Sequence, residues 1–361
     1  MTPDAPRLTH HAGPLRRLTA RGCRLSATFL FSLVLAGSGS LVAADLNPPE
    51  VQNLIDDALG HAYRQEYDDA YELMSRLSSQ YPDNPAGDFF TGAYWQLYMF
   101  DHGTDSLEPV FLDCMAQARA KANDAIASDA DAAPRAHLYL GATYVYEAIY
   151  FGWKGDYWQA LRRGLKASPE LNIAYRADST LDDACLGLGV SEYFHYAASR
   201  YLVGLSLFGS LDKAIKLGRQ AADGEGYFAV TASYTLSWML TQEKRFDEAL
   251  GLLDSLLAAY PGNRLFRKQL RETYSAEKDY ASSISVALDL AQEFRELLPD
   301  NYAAIAENDL SLAKSLSRFG DNQAAGDWCD SIIALEPFQD SGVRLADYVK
   351  EARGLRKRLG N

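Results

Sequence analysis

Apolar residues recur at three- and four-residue steps through almost the whole chain, the spacing of one helical face. Leu138, Tyr139, Gly141, Ala142, Val145, Tyr146, Ile149 and Tyr150 mark such a face. Between 51 and 80 the pattern predicts two helices. The first carries Leu54, Ala58, Leu59 and Ala62, and the second runs from Tyr67-Asp68-Asp69-Ala70 through Leu73, Met74 and Leu77. Period-two alternation is scarce, so the chain reads as all-α. Its helices stop at recognisable punctuation. In Tyr81-Pro82-Asp83-Asn84 and Tyr260-Pro261-Gly262-Asn263 the proline cannot continue a helix and pushes the residue before it towards extended backbone. The asparagine that follows is available to cap the next helix. Gly155-Asp156 and Gly320-Asp321 fall where a short turn between helices is required.

The pattern also repeats. Phe246-Asp247-Glu248-Ala249 matches Tyr67-Asp68-Asp69-Ala70, and the two Tyr-Pro-x-Asn stops match at the same offset. Two motifs sharing one offset indicate internal repetition. Alanines 70, 125, 160, 214, 249, 287 and 325 carry one phase. Long and short gaps alternate along the first five, and the last two steps equal the spacing of prolines 261, 299 and 337. That final spacing is the one expected of a repeat of about 34 residues lengthened by about one helical turn. The longer gaps leave room for an extra helix or a long loop. The clearest units are 51–84, 230–263, 264–299 and 300–337, and a charged amphipathic segment at about 343–359 suits the terminal cap of a stacked array.

On these residues the chain resembles the tetratricopeptide-repeat (TPR) superfamily. That signature places Trp, Leu, a small residue and Tyr on a first helix, Ala and Phe on a second, then Pro. In the unit at 230–263 the slots hold Ser233, Leu236, Ser237, Leu240, Ala249, Leu253 and Pro261; at 300–337 Leu312, Ala313, Ala325 and Pro337 recur, with Cys329 in the aromatic slot. The resemblance implies an α-solenoid of stacked helix–turn–helix units, six or seven pairs in all. It is closer to the exported bacterial type than to cytosolic cochaperones, whose paired basic residues for a C-terminal carboxylate are not recognisable here.

Residues 1–44 have a different character. Arg16, Arg17, Arg21 and Arg24 precede an apolar run at 25–36, a Gly-Ser break, and small residues Val42-Ala43-Ala44 before Asp45. This order predicts a secretory signal peptide cleaved after Ala44 and hence a periplasmic or otherwise exported protein. The alternative is an N-terminal membrane anchor, because 25–44 carries no charge and has about the length of a minimal spanning helix. No later segment is apolar enough to span a bilayer. Losing five arginines and one aspartate from 35 basic and 48 acidic residues leaves 30 and 47, a net charge of −17. Such a charge repels nucleic acid and anionic membrane surfaces. Cys114, Cys185 and Cys329 remain, an odd count at wide spacing, which predicts small buried helical positions rather than disulfides or metal ligands.

Candidate chemistry is sparse. With Ser233, Leu236, Ser237 and Leu240 facing the helix partner, Tyr234 and Trp238 are left for the groove lined by the first helices, where they can stack on a peptide. Tyr193, Tyr196 and Arg200 share one face of a helix at 184–203, and with Trp153 they would form an aromatic pocket holding one cation; the bland alternative for all six is ordinary core packing. Glu147 and Glu192 lie among apolar residues, where a carboxylate can serve as acid or base. The competing expectation is that each is paired with an arginine of the next helix. Glu192-x-x-His195 has half the spacing of a carboxylate-bridged metal site, with no second copy. No phosphate loop, nucleophile elbow or zinc-protease motif is present. The sequence therefore predicts no cofactor, no metal and no catalytic residue. It predicts a scaffold that binds a protein or peptide partner in its concave groove. A small apolar or aromatic ligand, carried in association with a transporter, is the alternative.

Overall fold

The computed structural model describes residues 46–203, 209–338 and 344–360, with the side chains of 198–203 left aside; the segment 1–44, expected from sequence to be a signal peptide, lies outside these residues. Among the described residues there are fifteen α-helices and no strand. They are α1 (Pro49–Tyr63), α2 (Tyr67–Gln80), α3 (Pro85–His102), α4 (Glu108–Ser128), α5 (Ala133–Lys154), α6 (Tyr157–Ala177), α7 (Asp183–Val203), α8 (Leu211–Asp223), α9 (Ala229–Gln242), α10 (Phe246–Ala259), α11 (Arg264–Glu277), α12 (Tyr280–Leu297), α13 (Tyr302–Phe319), α14 (Asn322–Ile333) and α15 (Leu345–Leu359).

Each odd-numbered helix up to α13 pairs with the helix after it, which makes seven antiparallel pairs, and α15 covers the last. Successive first helices of the pairs also pack on one another, whereas successive second helices do not approach as closely. The first helices therefore form the inner layer of an all-α solenoid with TPR-like pairs, and the second helices its outer layer.

Local sequence explains the joints. The N–H groups of Asn84, Asn263 and Asn301 close onto the carbonyls of Tyr81, Tyr260 and Leu298 across Pro-x, at 3.0, 3.0 and 2.9 Å. The same three asparagines then cap α3, α11 and α13, accepting from Ala86, Phe266 and Ala304 N–H at 2.8, 3.1 and 3.2 Å, as N-cap side chains do. Within the pairs, one turn position takes a left-handed backbone in five units. Glycine fills it at Gly155 and Gly320, but Gln65, Lys244 and Lys278 fill it elsewhere, at a steric cost glycine does not bear.

The small-residue phase is visible in the packing and needs two changes of register. Ala70, Ala214, Ala249 and Ala325 are each the fourth residue of a second helix and wholly buried. In α12 that slot holds Ser283, bonded to Ser315 across the pair at 3.0 Å, and Ala287 lies one turn further on. In α4 the slot holds Phe111, and Ala125 sits half-exposed in the last turn. Among the described residues the long gaps contain no extra helix. Instead α4, α5, α6 and α7 have 21, 22, 21 and 21 residues, against 14 in α9 and α10. In this long-helix region Gly141 and Gly187 open a notch for Leu171. A Cβ on Gly141 would lie 2.6 Å from Leu171 Cγ, and one on Gly187 would overlap Leu171 Cδ1 more closely still.

The solenoid winds far enough for distant pairs to meet: α3 packs on α11 and α13. Asn263 Nδ2 donates to the Tyr63 carbonyl at 2.8 Å, and the Tyr63 hydroxyl meets Thr231 Oγ1 at 2.8 Å. At the start of the fold Asn47 is fully buried, its side chain bonded to the hydroxyls of Tyr139 (2.8 Å) and Tyr227 (3.1 Å).

Candidate functional site

The structure separates five of the six residues proposed from sequence into three places. Tyr234 and Trp238 are one helical turn apart on α9 but point to different neighbours. Tyr234 packs on Phe266, ring centroids 5.6 Å apart, in a core with Tyr63, Leu253, Leu256 and Leu265. Burial, with Glu307 nearby, pushes its phenol up to about 12, because both disfavour the charged form. The two side chains, which the four-residue step sets on one face for stacking on a peptide, therefore have different ring neighbours. Trp153 lies against Phe100 (5.0 Å) and Tyr150 (6.0 Å), joining the ends of α3 and α5 rather than meeting Tyr193.

Trp238 turns towards α7 and forms the third place. Its ring lies 5.5 Å from Tyr193, edge-on, and 6.2 Å from Phe194, and Tyr193 is 6.3 Å from Tyr196. Tyr193 is buried beneath this group, and its hydroxyl donates to Glu243 Oε1 at 3.3 Å. Tyr196 and Trp238 are half-buried, while Phe194 is 54% exposed. Arg200 continues the face of α7 that carries Tyr193 and Tyr196, but its side chain is outside the described residues. Phe194 was missed in the sequence because it is off the 193–196–200 face. Its partner is on α9, two helices further along the chain, and no local periodicity signals that contact.

Other aromatics on the first helices, and on the turn into α9, are occupied. Phe89, Phe90, Tyr139, Tyr146, Tyr227 and Phe228 pack on each other with centroids 5.0 to 6.2 Å apart. The aromatic load that suggested a lining for a small ligand is in large part a core joining α3, α5 and α9.

Both candidate carboxylates are also engaged. Glu147 is buried and held between two cations from flanking outer helices, Arg119 on α4 (2.6 Å) and Arg163 on α6. Glu192 pairs with Lys213 (2.9 Å) and accepts the Ser210 N–H (2.9 Å), tying α7 to the start of α8. Each is a helix-to-helix tie in the arrangement found. His195 is exposed.

Two buried charge arrangements had no sequence signal. At the first, the Arg264 guanidinium on α11 holds Asp101 on α3, with Nε 3.0 Å from Oδ1, and the Tyr67 hydroxyl donates to Asp101 at 2.9 Å. Burial raises the Asp101 carboxyl, but the Arg264 hydrogen bonds and charge outweigh it and hold the group below its usual range, the expected result when an opposite charge lies in contact. Next to it Glu307 faces Arg271 and Lys268 (3.4 Å). Burial opposes its ionisation, but the two cations prevail and bring it to about 2. At the second, Asp183 at the start of α7 accepts the Phe228 N–H at 2.9 Å, so it caps the turn into α9. Here burial dominates and pushes the carboxyl up to about 6, since the backbone N–H groups of Phe228 and Tyr227 and the charge of Arg135 offset only part of the lost hydration.

The remaining titratable groups offer little chemistry. His61, Glu66 and Asp69 cluster on the surface, with His61 Nδ1 2.6 Å from Glu66 and Arg64 sharing the same oxygen at 2.9 Å, as in a surface ion-pair group. Cys185 and Cys329 are buried and Cys114 half-buried, all as free thiols. Burial pushes Cys114 to about 12 and Cys185 to about 11, so neither is a ready nucleophile. No helix among the described residues is long and apolar enough to cross a membrane.

No family model matches the chain, and no curated protein matches it. Solved structures do match. One is the TPR domain of P58(IPK), which is 11% identical, with 86% of this chain and 99% of that chain covered at a TM-score of 0.25. A score that low gives no residue correspondence. The geometry itself is that of an all-α solenoid of seven helix pairs with an inner layer of first helices, in which four pairs bury an alanine at the fourth position of the second helix.

Proposed function

We propose that this protein is an exported interaction scaffold that holds a protein or peptide partner against the first-helix layer, with Phe194, Tyr196 and Trp238 as the apolar anchor. The observation that supports this is the accessible aromatic group on α7 and α9. Phe194 is 54% exposed beside a half-buried Trp238, with Glu243 bonded to the Tyr193 beneath. Clustered aromatic side chains with a polar handle are the residues that dominate binding energy at interfaces. A stacked-repeat scaffold also presents its inner helices as one extended surface. The consumption of Phe89, Phe90, Tyr139, Tyr146, Tyr227 and Phe228 in packing favours a partner on this surface over a small ligand enclosed by them. The placement in the periplasm rests on the leader at 1–44.

The test is site-specific photo-crosslinking in the cell. A benzophenone side chain replacing Phe194 should give discrete adducts, and Trp238→Ala should abolish them. The same probe replacing Leu297, which is 63% exposed on the outer helix α12, should not. Identical adduct patterns at 194 and 297 would refute the reading. A small molecule copurifying at one equivalent in native mass spectra would replace it with the carrier alternative.

A further inference from the structure

The outer helix α6 carries an apolar stripe that nothing in the fold covers. Eleven large hydrophobic residues are exposed among the described residues, and five of them are on α6: Tyr157, Trp158, Leu161, Leu165 and Ile173, exposed by 76, 67, 49, 59 and 45%. Trp158, Leu161, Leu165, Pro169 and Ile173 follow at steps of three, four, four and four. They therefore form a single line about 22 Å long, at a rise of about 1.5 Å per residue. The opposite face of the same helix, Ala167, Leu171 and Ala174, is buried against α5 and α7. Turning the helix cannot hide the stripe.

The charge beside the stripe is of the opposite sign to the chain. Between Tyr157 and Ala177 there are four cations, Arg162, Arg163, Lys166 and Arg176, and one acid, Glu170, on a protein of net charge −13. Glu170 is engaged by His137 Nδ1 at 2.7 Å, and Arg163 is turned inward to Glu147. Arg162 and Lys166 remain exposed along the edge of the stripe. Aromatic residues at one end, an aliphatic line and flanking Lys/Arg are the composition of a helix lying in the plane of a bilayer interface. Trp and Tyr in particular favour the headgroup level.

We infer that the outer face of α6 docks on an anionic lipid surface, with the apolar stripe entering the headgroup region and Arg162 and Lys166 facing lipid phosphates. The overall negative charge opposes this only at long range. At physiological salt a charge is screened beyond about 8 Å, so the groups beside the contact decide the sign of the interaction. A second copy of the chain fits the stripe less well, because a two-fold contact of α6 with itself gathers the Arg162 and Lys166 cations of both copies in one seam whose only acid, Glu170, is already engaged by His137. In the docked orientation the first-helix layer faces away from the membrane.

The experiment compares the full chain with Trp158→Ser/Leu165→Ser and with Arg162→Glu/Lys166→Glu. All four side chains are exposed, so both variants should keep the wild-type helical circular dichroism. Partition is measured by cosedimentation with vesicles of phosphatidylcholine alone and of phosphatidylcholine with one quarter phosphatidylglycerol. The wild type should prefer the anionic vesicles. The apolar variant should bind at least about tenfold less to them, with the leader present in every sample. The charge variant should lose about fivefold or more per residue, and less at high salt. Brominated lipid should quench a component of the fluorescence that disappears in Trp158→Phe. Equal partition of the wild type and the apolar variant would overturn the inference. So would a wild-type dimer that the apolar variant dissolves while vesicle binding stays the same, which would assign the stripe to a second copy.

Discussion

The pair formed by Asp101 and Arg264 joins helices far apart in the chain, and its removal has a calculable consequence. Asp101 is fully buried and Arg264 is 8% exposed. In Arg264→Met the carboxylate keeps the Tyr67 hydroxyl as its close partner, and an uncompensated buried charge costs about 3–5 kcal/mol. In Asp101→Leu the guanidinium retains Glu293 at 3.2 Å. The expected loss there is nearer ~3 kcal/mol. With both substitutions no charge is stranded and the Tyr67 hydroxyl loses its Asp101 acceptor, so the double variant should lie within about 1–2 kcal/mol of the wild type. The double-mutant cycle therefore predicts a coupling of several kcal/mol, read from urea unfolding followed by tryptophan fluorescence. Stacked repeats contact mainly their neighbours, and this pair is one of the few ties across the turn. Its loss should also broaden the transition and lower its denaturant slope. A coupling below about 0.5 kcal/mol, with the two single losses simply adding, would show that the tie does not hold the turn together. The pH dependence gives a second reading. The folded carboxyl titrates below its ordinary range, whereas the unfolded one titrates at about 3.9. The pair's contribution is therefore complete above the unfolded value and is lost as pH falls through the lower folded one. Arg264→Met should flatten this acid limb.

Further expectations follow from the packing. Asp183, raised to about 6 by burial, makes the folded state bind a proton more tightly than the unfolded one, so stability should fall as pH rises from about 4 to about 6. Asp183→Asn should remove that slope in thermal melts taken across the window. Lys278 occupies a left-handed turn position that Gly155 and Gly320 fill elsewhere. Lys278→Gly should stabilise the protein by about 0.5–1 kcal/mol in chemical denaturation, and Gly320→Lys should cost a similar amount. Gly187→Ala drives a methyl into Leu171 Cδ1. It should cost about 1–3 kcal/mol, partly recovered by Leu171→Val. The buried thiols Cys185 and Cys329 should react with a thiol reagent at neutral pH only as fast as the protein unfolds, which a reagent count with and without denaturant will show.

Much of the fold was legible because its determinants are local. Proline fixes its own φ and removes a donor, and Pro82, Pro261 and Pro299 each follow the end of a helix, although Pro169 is carried inside α6. An asparagine two residues later can cap the next helix with no tertiary help, and Asn84, Asn263 and Asn301 all do so. Small residues recurring once per unit revealed the pairing of helices, since only small side chains permit the close approach seen at Ala70, Ala214, Ala249 and Ala325. Local signals failed where length varied. An added turn in α12 shifted the slot from Ala287 to Ser283, and the long α4 carried Ala125 to its far end. A helical period reports a face but not how many turns precede it.

The tertiary structure alone decided which neighbour each face meets. Tyr234 and Trp238 share a stripe at four-residue spacing, yet the relative rotation of the pairs sends one to α11 and the other to α7. Phe194 becomes part of the candidate site through Trp238, and Asp101 finds Arg264 because the winding of the solenoid brings α3 onto α11. That winding sums small rotations at every pair. No single stretch of sequence contains it, whereas each helix and each cap is settled within a few residues by sterics and hydrogen bonding along the backbone.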